Sequence, residues 1–371
     1  MADANPDGAE IAIESGLQSA HNGNNTAYKR MGNGTMKATI YDVAKEAGVS
    51  IATVSLVING KGKISKERRE EIRGIMMRMG YKPSMIASAL TGKKTYALGL
   101  LVPDISNPFF AEIARAVEDE GQRHGYSVFI CSTDNKDEKV GHYAALLQQK
   151  NVDGVIIGTG IRELSVLDPL LHGGIPIAFL AREFRSVEVP SVVVDDYAGG
   201  AAAAEHLIAL GHRRLAVLAE QDSISSSRER VRGFKQALEA VGITLDPALV
   251  LSSAIKESKA SALALMRGEH PPTGIFCCND LLAIGALQAA KEMGIRIPHD
   301  CSIIGFDDTV LASVTDPPLT TIAQPIEQMG QIAVQLLVRK IGRPGERPER
   351  IVLRPELSIR QSSMALQAEI S

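Results

Sequence analysis

Thr39-Ile-Tyr-Asp-Val-Ala-Lys-Glu-Ala-Gly-Val-Ser-Ile-Ala-Thr-Val-Ser-Leu-Val-Ile-Asn59 reads as two short helices around a tight turn. Ile40, Val43, Ala44 and Ala47 follow the i, i+3, i+4, i+7 stripe of one apolar helix face. Thr39 and Asp42 are spaced to cap that helix reciprocally, Gly48 permits the turn, and Ser50 is suited to cap a second helix. On the second helix Val54, Val57 and Ile58 face inward, while Ala52, Ser55, Leu56 and Asn59 face out. A third helix, opened by Ser65 and running to about Met79, turns Ile72, Ile75, Met76 and Met79 inward. Three helices of this size read as a helix-turn-helix unit, whose second helix presents its N-terminal residues to base edges in the major groove. Those residues are Ile51, Ala52 and Leu56; Tyr41, Ser50, Thr53, Ser55 and Asn59 are placed for phosphates or nearby bases, and Thr39 and Ser65 complete the set. The competing reading of the same pattern is a small packing module that touches no nucleic acid.

Charge separates these two readings. The 371 residues carry a net charge of −3, but residues 36–95 hold twelve Lys/Arg against five Asp/Glu, a balance of +7. Residues 96–371 carry −8 and residues 1–35 carry −2. A basic block on a larger acidic body points to a polyanion-binding head, here double-stranded DNA. Residues 1–35, rich in Asn, Gly, Ala and Ser, lack the apolar surface to order themselves, so they read either as a disordered tail or as sequence upstream of a true start at Met36. No secretory signal or membrane-length apolar run is visible, which predicts a cytoplasmic, nucleoid-associated protein with no membrane role. The four cysteines show neither disulfide nor zinc spacing and read as reduced core residues, and neither metal nor cofactor is expected.

From Tyr96 onward, apolar strands alternate with helices. Strands are expected at Ala97–Val102, Ser127–Cys131, Val152–Ile157, Pro176–Leu180, Val192–Val194, Leu215–Leu218, Gly274–Cys278 and Ser302–Phe306. Helices are expected at Pro108–His124, Lys139–Gln149, Ala198–Leu210, Arg228–Val241, Leu281–Met293 and Ile326–Ile341. This pattern implies buried parallel sheets, and its length implies two doubly wound α/β lobes with a ligand cleft at the carboxyl ends of their strands. The first lobe is assigned to about 96–194 and 326–352, the second to about 195–325 and 353–371, with 36–82 as the DNA-binding unit and 83–95 as a linker. Enzyme signatures are missing: no Gly-x-Gly-x-x-Gly follows the first strand, and there is no phosphate-loop lysine or Gly-x-Ser-x-Gly elbow. Ser225-Ser-Ser227 reads as a polar loop. A two-lobed sugar-binding receptor without a DNA role is the rival reading, disfavoured by the basic head.

Met36 to Gly60 resembles the N-terminal signature of the lactose/galactose repressor family. The resemblance continues through Gly80-Tyr-Lys-Pro83, Val102-Pro-Asp-Ile-Ser-Asn-Pro-Phe-Phe110, Val152-Asp-Gly-Val155, His206-Leu-Ile-Ala-Leu-Gly-His-Arg-Arg214, Gly305-Phe-Asp-Asp308 and Pro318-Leu-Thr-Thr-Ile-Ala-Gln-Pro325, in one order over 36 to about 360. It implies a homodimeric transcriptional regulator, usually a repressor, on a palindromic operator, with a periplasmic-binding-protein-like effector domain and DNA affinity set by a small molecule. It also implies that Ser84–Leu90 forms a hinge helix on the operator, with Ala87 and Leu90 at the minor groove. Many members carry arginine where Leu56 stands. Ile51, Ala52 and Leu56 suit thymine methyls rather than bidentate bonds, so specificity is expected to lean on those methyls, Ser55 and DNA deformability. No heptad pattern follows Arg360, so no C-terminal coiled coil is expected.

For the effector, the resemblance implies contacts from Asp104, Asn107, Phe109, Phe110, Arg182, Arg230, Asn279, Asp307 and Gln324. Asn107 has a second reading as the cap of the helix that Pro108 begins, and the two phenylalanines have one as core. Arg230 matches the anchor of a ligand carboxylate or hydroxyl pair. Sugar-binding relatives often place an aspartate before the arginine that follows the fourth strand, where this chain has Ala181-Arg182, and the loop near Ala254 lacks an aromatic. Sugars, sugar acids and sugar phosphates all fit this set, and a purine-type corepressor or a protein partner is the alternative. An inducer would weaken DNA binding and be weakened by DNA equally, while a corepressor reverses the sign.

Overall fold

A computed structural model describes residues 38–58, 62–81, 94–182, 184, 187–221 and 224–366. The N-terminal tail, Asn59, Ala87, Leu90 and the expected hinge helix lie outside the described residues. The chain divides into two compact units, Met1–Pro83 and Ser84–Ser371.

The first unit holds α1 (Ile40–Glu46), α2 (Ile51–Ile58) and α3 (Lys66–Arg78). Their termini are fixed by the residues the sequence offers. The Thr39 hydroxyl donates to Asp42 Oδ2 at 2.7 Å, and the Thr39 backbone N–H donates to the same oxygen at 2.8 Å. Ser50 Oγ accepts the Thr53 N–H at 3.1 Å, and Ser65 Oγ accepts the Arg68 N–H at 3.2 Å. Val43, Ala44, Ala47, Val54, Val57, Ile72 and Ile75 form one small buried cluster.

The second unit contains two six-stranded sheets. The first runs in the order β11–β5–β4–β3–β1–β2, comprising β1 (Ala97–Val102), β2 (Ser127–Ser132), β3 (Gly154–Ile157), β4 (Ile177–Leu180), β5 (Ser191–Val194) and β11 (Arg350–Leu353), all parallel. α4 (Pro108–Arg123) and α12 (Ile326–Gly342) share one buried cluster with this sheet, and α5 (Asp137–Gln149) and α6 (Asp168–His172) another. The second sheet runs β12–β10–β9–β8–β6–β7, from β6 (Leu215–Ala219), β7 (Val250–Ser252), β8 (Gly274–Cys277), β9 (Ser302–Asp307), β10 (Thr320–Ala323) and β12 (Glu356–Ser358). Around it lie α7 (Asp196–Ala209), α8 (Ser225–Ala240), α9 (Ser258–Met266), α10 (Asp280–Met293) and α11 (Val310–Val314). The chain passes between the lobes at Asp195, at Gln324-Pro325 and at Arg354-Pro355.

Several expectations need correction. β12 pairs antiparallel with β10, so the second sheet is not wholly parallel. β11 ends at the cleft with the other strands of the first sheet, and the two residues after it carry the chain straight into the cleft end of the second sheet, so β12 runs away from the cleft, opposite to the strands that end there. Leu353 pairs with Val194 in the first sheet, one residue beyond the expected crossing. Ser225–Ser227 is not a loop but the first turn of α8, with Ser227 buried and its hydroxyl accepting the Glu220 N–H at 3.0 Å. Likewise α5 and α7 begin two residues before their apolar stripes do, because first-turn carboxylates favour a helix start whether or not they face the core. The strands β7, β10, β11 and β12 and the helices α6, α9 and α11 are additional to the elements expected from the sequence. All four cysteines are buried and free; burial pushes the Cys278 and Cys301 thiols up to about 12, which makes them inert packing groups.

Candidate functional site

Two surfaces carry chemistry, one in each unit. In the helical unit the outer face of α2 exposes Ile51, Ala52 and Leu56 beside an exposed Tyr41. Leu56 rests partly on the following loop: a Cβ added to Gly62, whose φ is +81°, would stand 3.1 Å from its Cδ1. Thr39, Ser50, Thr53 and Ser65 use their hydroxyls at helix N-termini. Not all the positive charge is available to a polyanion. Arg68 Nη2 donates to the Ala47 carbonyl at 2.8 Å and Arg69 Nη2 to the Gly62 carbonyl at 2.9 Å, bracing the turn and the loop around α2.

In the two-lobed unit a cavity of about 370 Å³ opens where the strands of both sheets end. Asp104 follows β1, Asn107, Phe109 and Phe110 begin α4, and Arg182 follows β4. Across the cleft stand Arg230 on α8, Asn279 after β8, Asp307 at the end of β9 and Gln324 after β10. All nine residues expected at the effector line this one cavity.

Arg230 is its electrostatic centre. Nε donates to Asp196 Oδ1 at 2.7 Å, Nη1 donates to the Cys278 carbonyl at 2.6 Å, and Nη1 lies 3.5 Å from Asp307 Oδ1. The guanidinium carbon sits 3.6 Å above the Phe306 ring. Burial works to lower the Arg230 pKa, but Asp196 and Asp307 outweigh it and hold the guanidinium firmly charged. The Asp307 carboxyl is pushed upward by burial, against the pull of Arg230. Its oxygen also accepts from Gln324 Nε2 at 2.7 Å, and its backbone takes a φ of +121°, which aims the side chain into the cleft. Behind it Asp280 accepts from the Thr309 N–H at 2.9 Å and the Thr321 hydroxyl at 2.7 Å, pinning the loop after β9; burial raises Asp280 to about 6.

Asn107 and the phenylalanines take their cap and core roles at the cavity wall. Asn107 Oδ1 caps α4 by accepting the Phe109 N–H at 3.1 Å, and Phe109 and Phe110 are core residues whose rings meet edge-on, centroids 5.0 Å apart, at the cavity wall. Asn279 likewise caps α10, through the Leu282 N–H at 2.8 Å.

A model of the periplasmic binding protein-like domain matches residues 204–363, and that of bacterial regulatory proteins of the lacI family matches residues 39–84. The chain is 42% identical to the HTH-type transcriptional regulator DegA of Bacillus subtilis (strain 168), over 89% of this chain and 99% of that one. The chain belongs to the LacI family of bacterial transcriptional regulators. Among solved structures of the family, the Lac repressor dimer bound to operator and the anti-inducer ONPF superposes with a TM-score of 0.79 at 27% identity, covering 89% of this chain and 100% of that one. A regulator from Enterococcus faecium with bound ribose superposes with a TM-score of 0.68 at 32% identity, covering 73% of this chain and 100% of that one.

Sequence reasoning missed part of the cavity wall of this family member. Asp196, at the start of α7, holds Arg230 and lines the cavity. Asp134, Asn135 and Glu220 also line the cavity, and each stands just past a strand, which is the signal that could have found them. Asp134 and Asn135 adopt φ values of +55° and +53°, a left-handed pair that Asp and Asn tolerate better than most residues. Ile255 and Lys256 occupy the loop that lacks an aromatic. No helix among the described residues is long and apolar enough to cross a membrane.

Proposed function

We propose that this regulator is a repressor that binds a palindromic operator as a homodimer and that a small polyhydroxylated effector in the interlobe cavity sets its affinity for DNA. The observation that carries the reading is that all nine residues assigned to the effector by the family resemblance line one cavity of about 370 Å³, within the range of small-molecule sites. Their chemistry suits a sugar. Asp307 and Gln324 offer acceptors and donors at a ring edge, Arg230 adds a planar donor fork, and Phe109 and Phe110 give an apolar face. The ribose bound by the Enterococcus faecium relative supports the same class.

On the DNA side, Ile51, Ala52 and Leu56 have no hydrogen-bonding side-chain atoms, so they read thymine methyls, with Ser55 nearby and the remainder of specificity in the deformability of the operator centre. Tyr41, Asn59, Ala87 and Leu90 complete the proposed DNA contacts. The coupling is reciprocal: whatever factor the effector imposes on operator affinity, the operator imposes on the effector.

The test is a titration of operator binding, followed by fluorescence anisotropy on a fragment selected from the genome, with a panel of sugars. Wild type responds to at least one sugar, and Arg230→Ala loses that response while still binding the operator. An effector response that survives Arg230→Ala removes the anchor, and with it this account of the cavity.

A further inference from the structure

We propose that Glu112 is a latch between the two lobes, a positioning residue that caps α11 from across the cleft and so holds the two walls of the cavity at their working separation. Glu112 is half-buried on α4 in the first lobe, one turn past Phe109. Its Oε1 accepts the Val310 backbone N–H at 3.0 Å, and Val310 opens α11 in the second lobe, 198 residues further along the chain. The bond therefore joins the lobes at a place remote from the three points where the chain crosses between them.

α11 has no cap of its own. Thr309 stands at the cap position, but its N–H and its hydroxyl both go to Asp280, at 2.9 and 3.1 Å. The first N–H groups of a helix have no partner within it, and a carboxylate satisfies one well. Here that carboxylate comes from the other lobe. Arg115 and Arg123, which share a surface groove with Glu112, are paired with Asp119 and Glu120 instead.

The latch meets the cavity on both sides. Phe109 lines the cavity from the first lobe and Asp307 from the second. From Asp307 to Val310 the chain is held at every step: Asp307 and Asp308 adopt φ values of +121° and +58°, Asp308 Oδ1 lies 2.7 Å from Arg360 Nη2, and Asp280 grips Thr309. α11 therefore moves with the Asp307 wall, and the Glu112–Val310 bond fixes the same gap that a ligand between Phe109 and Asp307 has to bridge. A ligand that fits the latched spacing favours the latch, and the latch favours the ligand by the same factor. The latch rests on the bond alone, whereas this consequence rests on the effector reading above.

Two substitutions cut the bond from opposite ends. Glu112→Ala removes the acceptor. Val310→Pro removes the donor and little else, because proline suits the first position of a helix, Thr309 with φ −70° and ψ 167° already has the extended backbone required before a proline, and the Val310 side chain is exposed. Spin labels on Glu138→Cys in α5 and Ala260→Cys in α9, both exposed, report lobe separation by pulsed electron–electron resonance, since the four native cysteines are buried. Labelled full-length protein is diluted into excess unlabelled protein, so that distances within one copy are read. Without any sugar, Glu112→Ala and Val310→Pro are each expected to raise the population at longer distance about fivefold. The double variant goes no further than either single one, and Glu112→Gln, whose amide oxygen still accepts, changes less. Wild-type distances in both single variants overturn the latch, as do effects that add in the double variant. In operator-response titrations with ribose, glucose and cellobiose, every sugar active on wild type is weakened in both variants by one common factor; a factor that differs between sugars makes Glu112 a ligand contact and overturns its positioning role. Because the distance measurement contains no sugar, a chain that answers to none of them would sink the effector reading and leave the latch to be judged by the distances.

Discussion

Arg230 depends on two glycines that no polar chemistry singles out. α7 and α8 cross in contact, and a Cβ on Gly200 would lie 1.9 Å from the Arg230 carbonyl oxygen, while one on Gly233 would lie 2.0 Å from the Tyr197 carbonyl oxygen. Gly200→Ala must therefore push the helices apart by roughly 1 Å or more before ordinary van der Waals contact is restored. Asp196 rides on α7 and Arg230 on α8, so a shift of that size lengthens their 2.7 Å bond beyond useful hydrogen-bonding range. Overpacking costs about 1–3 kcal/mol and a weakened charge-assisted bond about 1.5–3 kcal/mol, offset by about 1 kcal/mol of helix propensity gained by Ala over Gly. The net expectation is a loss of about 2–4 kcal/mol, or a fall in Tm of roughly 5–10 °C for a unit of this size. Urea unfolding and calorimetric melting of wild type and variant measure it, with operator-response titration reporting the loss of the effector anchor. A variant within about 0.5 kcal/mol of wild type, or one that is more stable, refutes the reasoning that this crossing positions Arg230.

Other consequences are as direct. Gly74 lies inside α3 with its nearest neighbour for a Cβ, Arg78 Nη1, at 3.7 Å, so Gly74→Ala should stabilise the helical unit by about 0.5–1 kcal/mol, as read by thermal unfolding; destabilisation there would contradict the available space. Asp280, raised by burial from 3.8 to about 6, keeps its proton in the folded state where the unfolded chain has released it, so its ionisation lowers stability as pH rises through that window, by about 3 kcal/mol in all, and no further above it. Urea unfolding between pH 4 and 7 should give a flatter profile for Asp280→Asn than for wild type, and parallel profiles would exclude Asp280 as the source. Leu56→Arg should change the preferred base in each half-site, measured by selection from a randomised operator library, because arginine suits guanine where leucine meets a methyl. An unchanged preference would take Leu56 off the reading surface.

The helical unit was legible because its determinants are local. Caps at Thr39, Ser50 and Ser65 and an apolar stripe ending at Ala47 lie within a few residues of what they control. The long helices, apart from their first turns, and the strands β1–β6, β8 and β9 were legible for the same reason. Ser225–Ser227 went astray because three serines without an apolar period look like a loop until Ser227 is seen buried against Glu220. In the cavity, the nine expected positions came from motif resemblance rather than from periodicity, and Asp196 escaped because it lies before the apolar stripe that marks the helix at Ala198–Leu210. Asp195 is the residue that caps α7, accepting the Ala198 N–H at 2.9 Å.

By itself the amino-acid order determined that a basic helix-turn-helix unit precedes two alternating α/β lobes, since hydrophobic period, capping and charge balance act over short separations in the chain. Only the tertiary structure decided that residues from Asp104 to Gln324 face one another and that Arg230 is held by Asp196 and the Cys278 carbonyl. The physical reason is distance along the chain. Strand order and the three crossings between lobes bring together groups more than two hundred residues apart, and the electrostatic energy of a buried charge depends on which of those groups arrive beside it.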